Sequence, residues 1–232
     1  MKQFLQGIKD GSAIGIGYLS VSFTFGLAAV SSGLFWWQAL LVSMVNMTSA
    51  GQFAGITVMA SVGSYLEMAV SQLVINLRYA LMSISLSQKV NSQFQTGKKL
   101  ILGFANTDEI FAVAMSREGE VGSCYFSGLA LLPYLGWSLG TLAGAVCGNI
   151  LPRQLSDALG LAIYGMFIAI VVPAAKKDSR ILKMVIVAVL LSCCIYYIPI
   201  FQNISEGFAI IICAVAASLA GAAFFPIEKE EM

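Results

Sequence analysis

An all-α, polytopic membrane fold follows from three observations. Apolar residues fill 58% of the 232 positions and charged residues 11%, whereas soluble domains average about a quarter charged. Several apolar runs approach the roughly 20 residues that cross a bilayer as helix. Two polar islands, residues 46–52 and 106–109, stand in the middle of otherwise apolar stretches. A chain this apolar cannot hide its surface in water, and backbone within hydrocarbon must satisfy its own polar groups, as helix does. Residues 1–232 read as a single integral membrane domain, with no soluble domain, long linker or low-complexity segment.

Taken in order, six segments read as uninterrupted spans: Ser12–Leu34, Tyr65–Gln88, Cys124–Ile150, Ala158–Ala175, Ile181–Gln202 and Gly207–Pro226. The first is too long for a signal-peptide core and lacks a cleavage site, so it is expected to stay as a helix. Two further stretches, Trp36–Val62 and Leu100–Ser116, carry the islands and read as discontinuous or re-entrant, which gives six to eight helical segments. Basic residues cluster at Lys2/Lys9, Lys89/Lys98/Lys99, Arg117 and Lys176/Lys177/Arg180/Lys183. Eight full crossings would leave Lys89, Lys98 and Lys99 outside. Six crossings plus two re-entrant hairpins bring all four clusters to the cytoplasmic side, as the positive-inside rule asks. Either arrangement places both termini in the cytoplasm.

Composition also excludes function classes. A net charge of +1 gives no field for nucleic acid. There is no histidine, and Cys124, Cys147, Cys193, Cys194 and Cys213 lie in apolar segments without metal-ligand spacing. Neither a metal site nor a cofactor is expected. An enzyme would need a nucleophile–base pair or metal ligands, and the lack of histidine argues against both.

In the first island, Thr48 or Ser49 can cap a half helix and Gly51 allows close backbone approach. A helix amino terminus there suits a carboxylate, and Gln52 adds an amide that donates and accepts. The competing reading is a small-residue packing surface. In the second island, Asn106-Thr107-Asp108-Glu109 resembles a helix start with acids in its first turn. Those acids either cap an interfacial helix or meet an ammonium or a proton; in a chain without histidine, Asp108, Glu109 and Glu67 are the proton carriers at hand. On the Tyr65–Gln88 span, Glu67, Ser71 and Arg78 share a face, since spacings of 7 and 11 return within roughly 20°. Glu67 and Arg78 are about 16 Å apart along the axis and cannot pair. Gln72, Asn76 and Tyr79 form a second polar strip. Arg78 therefore needs another anion: Asp108, Glu109 or a substrate carboxylate, in a structural or a binding role. Phe25, Phe53 and Phe111 are candidates for an apolar pocket, and Gly128, Gly136, Gly140, Gly144 and Gly148 form a stripe for tight helix packing or a partner subunit.

Gly15-Ile16-Gly17 through Phe25-Gly26, Ser49-Ala50-Gly51-Gln52-Phe53, Asn76-Leu77-Arg78-Tyr79 and Asp108-Glu109-Ile110-Phe111-Ala112 occur in this order and spacing. In these motifs the chain resembles the AzlC family, the large subunit of bacterial branched-chain amino acid exporters. The resemblance is strongest over residues 12–115. It implies a multi-pass protein of the cytoplasmic (inner) membrane that exports branched-chain or similar apolar amino acids with a small AzlD-like membrane subunit. Combined with the residue reading, the expectation is secondary active, proton-coupled efflux. Thr48, Ser49, Gly51, Gln52, Asn76 and Arg78 would bind substrate, and Asp108, Glu109 or Glu67 would take the ammonium or the coupling proton. A passive, channel-like pore for small polar solutes is the alternative.

Overall fold

A computed structural model describes residues 2–91, 94–148, 168, 171–173, 175–201 and 204–225. Its helices are α1 (Lys2–Ser31), α2 (Trp36–Val45), α3 (Ala50–Ala60), α4 (Tyr65–Ser87), α5 (Thr96–Gly103), α6 (Asp108–Ser116), α7 (Ser123–Gly148), α8 (Ser179–Tyr197) and α9 (Glu206–Phe224). Among the described residues there is no named strand, and α1, α4, α7, α8 and α9 are long and apolar enough to cross a membrane. The polytopic, all-α expectation holds. Five of the six expected spans are present; the sixth, Ala158–Ala175, lies largely outside the described residues. α1 begins ten residues earlier than expected, because its leading turns carry Gly7 and Gly11 against α7.

The chain divides into two compact units, Met1–Phe53 with Asn76–Ile163 and Ala54–Ile75 with Tyr164–Met232. The first is organised by α1 and α7. Gly7 packs at Tyr125–Leu129, Gly15 at Leu132 and Gly26 at Thr141–Ala145, so the two helices run parallel. In return, Gly128 meets Phe4, Gly136 meets Gly15 and Gly144 meets Phe23. A Cβ at any of these six glycines would lie under 3.0 Å from the opposing backbone. Such close approach is how membrane helices gain dispersion contact without a hydrophobic driving force between them. The glycine stripe is thus an internal seam.

α7 serves as a ruler for the rest of this unit. α2 descends from its carboxyl end: Ser43 bonds Thr141, and Met47 reaches the buried cluster of Tyr18, Ile110 and Trp137. The chain then turns, and the first turn of α3 climbs back. Gln52 returns to Ser43, and the Phe53 ring packs edge-on against Phe25 with centroids 5.4 Å apart. α5 and α6 do the same from the opposite end. Phe94 packs on Phe126, Phe104 reaches Tyr134 halfway along α7, and Arg117 is back beside Tyr125. Both island stretches therefore enter and return.

The amino end of α1, the loop of Lys89 and Arg117 gather at the amino end of α7. The Asp10 carboxylate accepts from the Tyr125 hydroxyl at 2.8 Å, Lys89 donates to the Met115 carbonyl, and Val90 bridges Val121. Three of the four basic clusters thus share one end, as six crossings with two hairpins require.

In the second unit α8 and α9 lie antiparallel, joined through a short 3-10 turn at Pro199–Phe201. Met184 packs on Gly221, and the Lys183 ammonium sits 5.2 Å from the Phe225 ring centre. Glu67, only 3% exposed, closes the amino end of α9: its Oε1 accepts from Ser205 Oγ at 2.6 Å and from the Gly207 N–H at 2.8 Å. An ionised carboxylate is well placed there, because a helix amino terminus offers unpaired N–H groups and a partial positive charge.

Candidate functional site

The tips of the two hairpins meet in the first unit. At the first tip, α2 stops because Asn46 leaves in an extended conformation (φ −146°, ψ 112°), and its side-chain oxygen accepts from the Thr48 N–H at 3.2 Å. This local bond competes with helix, as Asn side chains commonly do. Ser49 then takes φ 49°, a left-handed value uncommon outside glycine, and the chain reverses into α3. Thr48 does not cap α3: its Oγ1 is buried without a partner among the described residues. Below the turn, Gln52 Nε2 donates to Ser43 Oγ at 3.0 Å, and Ser43 lies 2.7 Å from Thr141 Oγ1, which ties both half helices to α7. Gln52 is 2% exposed, and among the described residues its Oε1 has no partner.

At the second tip Thr107 is the residue before α6, but its hydroxyl is 2.7 Å from the Tyr18 hydroxyl instead of capping the helix. Tyr18, held edge-on to Trp137 at 5.2 Å, also donates to the Glu109 carboxylate. Asn106 is buried, and its Nδ2 donates to Ser83 Oγ at 3.2 Å.

α4 joins the two tips. Arg78 Nη1 is 2.7 Å from Asp108 Oδ2, and Nη2 donates to the Tyr79 hydroxyl at 3.2 Å. That hydroxyl in turn donates to the Thr48 carbonyl at 3.3 Å. The line Asp108–Arg78–Tyr79–Thr48 therefore runs from one hairpin tip to the other. The side chains of Arg78 and Asp108 are 46% and 44% exposed, so each can exchange its partner for a ligand.

The predicted residues thus separate. Thr48, Ser49, Gly51 and Gln52 form the first tip, Asp108 and Glu109 the second, and Arg78 bridges them; Asn76 lies half a turn before Arg78 on α4. Glu67 belongs to the other unit, where it holds the start of α9. Phe25 and Phe53 contact each other, and Phe111 packs on the buried cluster around Tyr18 and Ile110. Sequence reasoning missed Tyr18, Ser43 and Thr141. Their signal was the one that marked the islands, a polar group inside an apolar run, but each stood alone. Among the described residues no three His, Cys, Asp or Glu side chains could hold a metal ion.

Two half-helix hairpins that face each other across a charged, half-exposed contact define an integral membrane protein with a polar centre. The AzlC protein family matches residues 13–151, more than half of the chain, and this protein belongs to that family. It is 28% identical to the inner membrane protein YgaZ of Escherichia coli over 85% of this chain and 84% of that protein. An uncharacterized membrane protein of Archaeoglobus fulgidus is 33% identical over 75% of this chain and 76% of its own length. No solved structure matches the chain.

Proposed function

We propose that this protein is a secondary active exporter of branched-chain or similar apolar amino acids, coupled to protons and working with a small AzlD-like subunit in the cytoplasmic membrane. The observation that carries this reading is the Arg78–Asp108 pair suspended between two half-helix tips. A zwitterion matches that pair charge for charge. Its carboxylate replaces Asp108 on the guanidinium, which offers paired N–H donors, and its ammonium meets Asp108. The amino end of α3 has no acid in its first turn, so it adds partial positive charge beside Thr48 and Gln52. Two buried polar atoms without partners, Thr48 Oγ1 and Gln52 Oε1, are available there to orient the substrate. Glu109, bonded to Tyr18, is the proton carrier next to the ammonium position. The shared end of three basic clusters supports a cytoplasmic amino terminus.

The test is efflux of preloaded valine, leucine, isoleucine and methionine from vesicles holding this chain and the small subunit, with and without an imposed proton gradient. Uphill efflux that Arg78→Ala abolishes supports the exporter. Solutes that merely equilibrate would replace it with a passive pore.

A further inference from the structure

A cavity lies on the side of the second tip that faces the basic end of the first unit, between α4, α5 and α7. Its volume is about 130 Å³, close to the roughly 150 Å³ of an apolar protein cavity that takes up benzene. Leu86, Val90, Phe94 and Phe126 supply an apolar wall. Ser83 and Asn106 line it as well; Asn106 is 3% exposed, and its Oδ1 is buried with no partner among the described residues. Buried acceptors are nearly always satisfied, so an orphaned one on a residue that lines a cavity points to a ligand donor. Asn106 is also two residues before Asp108 in the same turn. Lys99 is a further lining residue.

We propose that this cavity is the side-chain pocket for the substrate, taking a small branched aliphatic group while the ammonium lies between Asp108 and Asn106 Oδ1. The proposal rests on the exporter reading and deepens it, and it moves the apolar subsite away from Phe25, Phe53 and Phe111. Two consequences follow from the walls. A four-carbon aliphatic chain fits, and a cationic side chain would lose its hydration against the apolar wall without gaining an anion among the lining residues. The basic end of the unit is where an exported amino acid arrives if that end is cytoplasmic, and Lys99 attracts its carboxylate.

Gly103 makes the pocket testable without disturbing the fold. It lines the cavity, and a Cβ there would meet nothing within 4 Å. The experiment is counterflow of alanine, valine, leucine, isoleucine and phenylalanine by wild type, Gly103→Ala and Gly103→Leu, with thermal melting of each purified protein as the folding control. The expected result is unchanged melting with at least a tenfold fall in leucine and isoleucine counterflow for Gly103→Leu. Alanine should be retained, and Gly103→Ala should fall between. Leu86→Ala should widen the selection toward larger side chains. Equal loss across the series, or unaltered selectivity in a folded Gly103→Leu protein that still transports, overturns the pocket while leaving the exporter reading in place. A wild-type protein that moves none of these amino acids overturns both.

Discussion

The two hairpins share a plan, half helix, tip and half helix, and differ in chemistry. The α2–α3 tip is uncharged from Asn46 to Gln52, is anchored to α7 through Ser43 and Thr141, and keeps Thr48 Oγ1 and Gln52 Oε1 without partners. The α5–α6 tip carries Asp108 and Glu109, and both acids are engaged, by Arg78 and Tyr18. Each tip exposes a helix amino terminus, yet only α6 has acids in its first turn to offset the partial positive charge. Under the proposed function the first tip would attract an anion and the second would supply one for a cation. Facing each other across Arg78, the two would suit a dipolar solute.

The largest effect is expected from breaking the frame that both hairpins share. Gly136→Leu places a side chain where the Gly15 carbonyl now lies, at a cost on the order of 3 kcal/mol. Purified yield and melting temperature should both collapse, whereas Gly17→Leu on the open side of α1 should leave them unchanged.

Next, Arg78→Ala severs the link between the tips. A hydrogen bond to a charged group contributes about 1.5–3 kcal/mol, so export should fall about 10- to 100-fold with only a modest change in melting. Arg78→Lys should recover part of the loss at most, since a lysine keeps the charge but not the fork of donors.

Asp108→Asn and Glu109→Gln sharpen the division of labour. Both should lose proton-dependent export in vesicles with an imposed gradient, and retained coupling in both would sink the assignment of the acids. On the uncharged tip, Gln52→Ala should raise the KM for export about tenfold with little change in maximal rate. Thr48→Val is the mildest change. Removing an unpaired buried hydroxyl should be nearly neutral for melting, while transport falls a few-fold if that hydroxyl meets substrate.

Much of this was legible in the sequence. Apolar runs located five helices to within a few residues at most ends, because a bilayer sets span length independently of packing. The charge rule favoured re-entrant hairpins over crossings, and the placing of Lys89 and Arg117 at one end of the first unit is consistent with it. Arg78 was expected to need an anion, with Asp108, Glu109 or a substrate carboxylate as the candidates, and in the structure Asp108 is that anion. What stayed hidden depends on three-dimensional register. Nothing in the sequence says that Tyr18 reaches Glu109, 91 positions away, or that Ser43 meets Thr141. Glu67 shares a helix face with Arg78, but that face says nothing about the Ser205–Gly207 turn that binds it. Hydrophobicity alone marked Phe25, Phe53 and Phe111 as candidates, and it says nothing about which neighbours each ring has; the structure shows Phe25 against Phe53.

The most direct test asks whether the charged tip is the end of a hairpin or the middle of a crossing. In a cysteine-free background, Gly97→Cys lies at the start of α5 and Glu118→Cys just past α6, and a membrane-impermeant thiol reagent reports the side on which each lies. Both should react from the same side of oriented vesicles. Labelling from opposite sides would mean that residues 96–116 cross the membrane, and the meeting of two half-helix tips around Arg78 would be wrong.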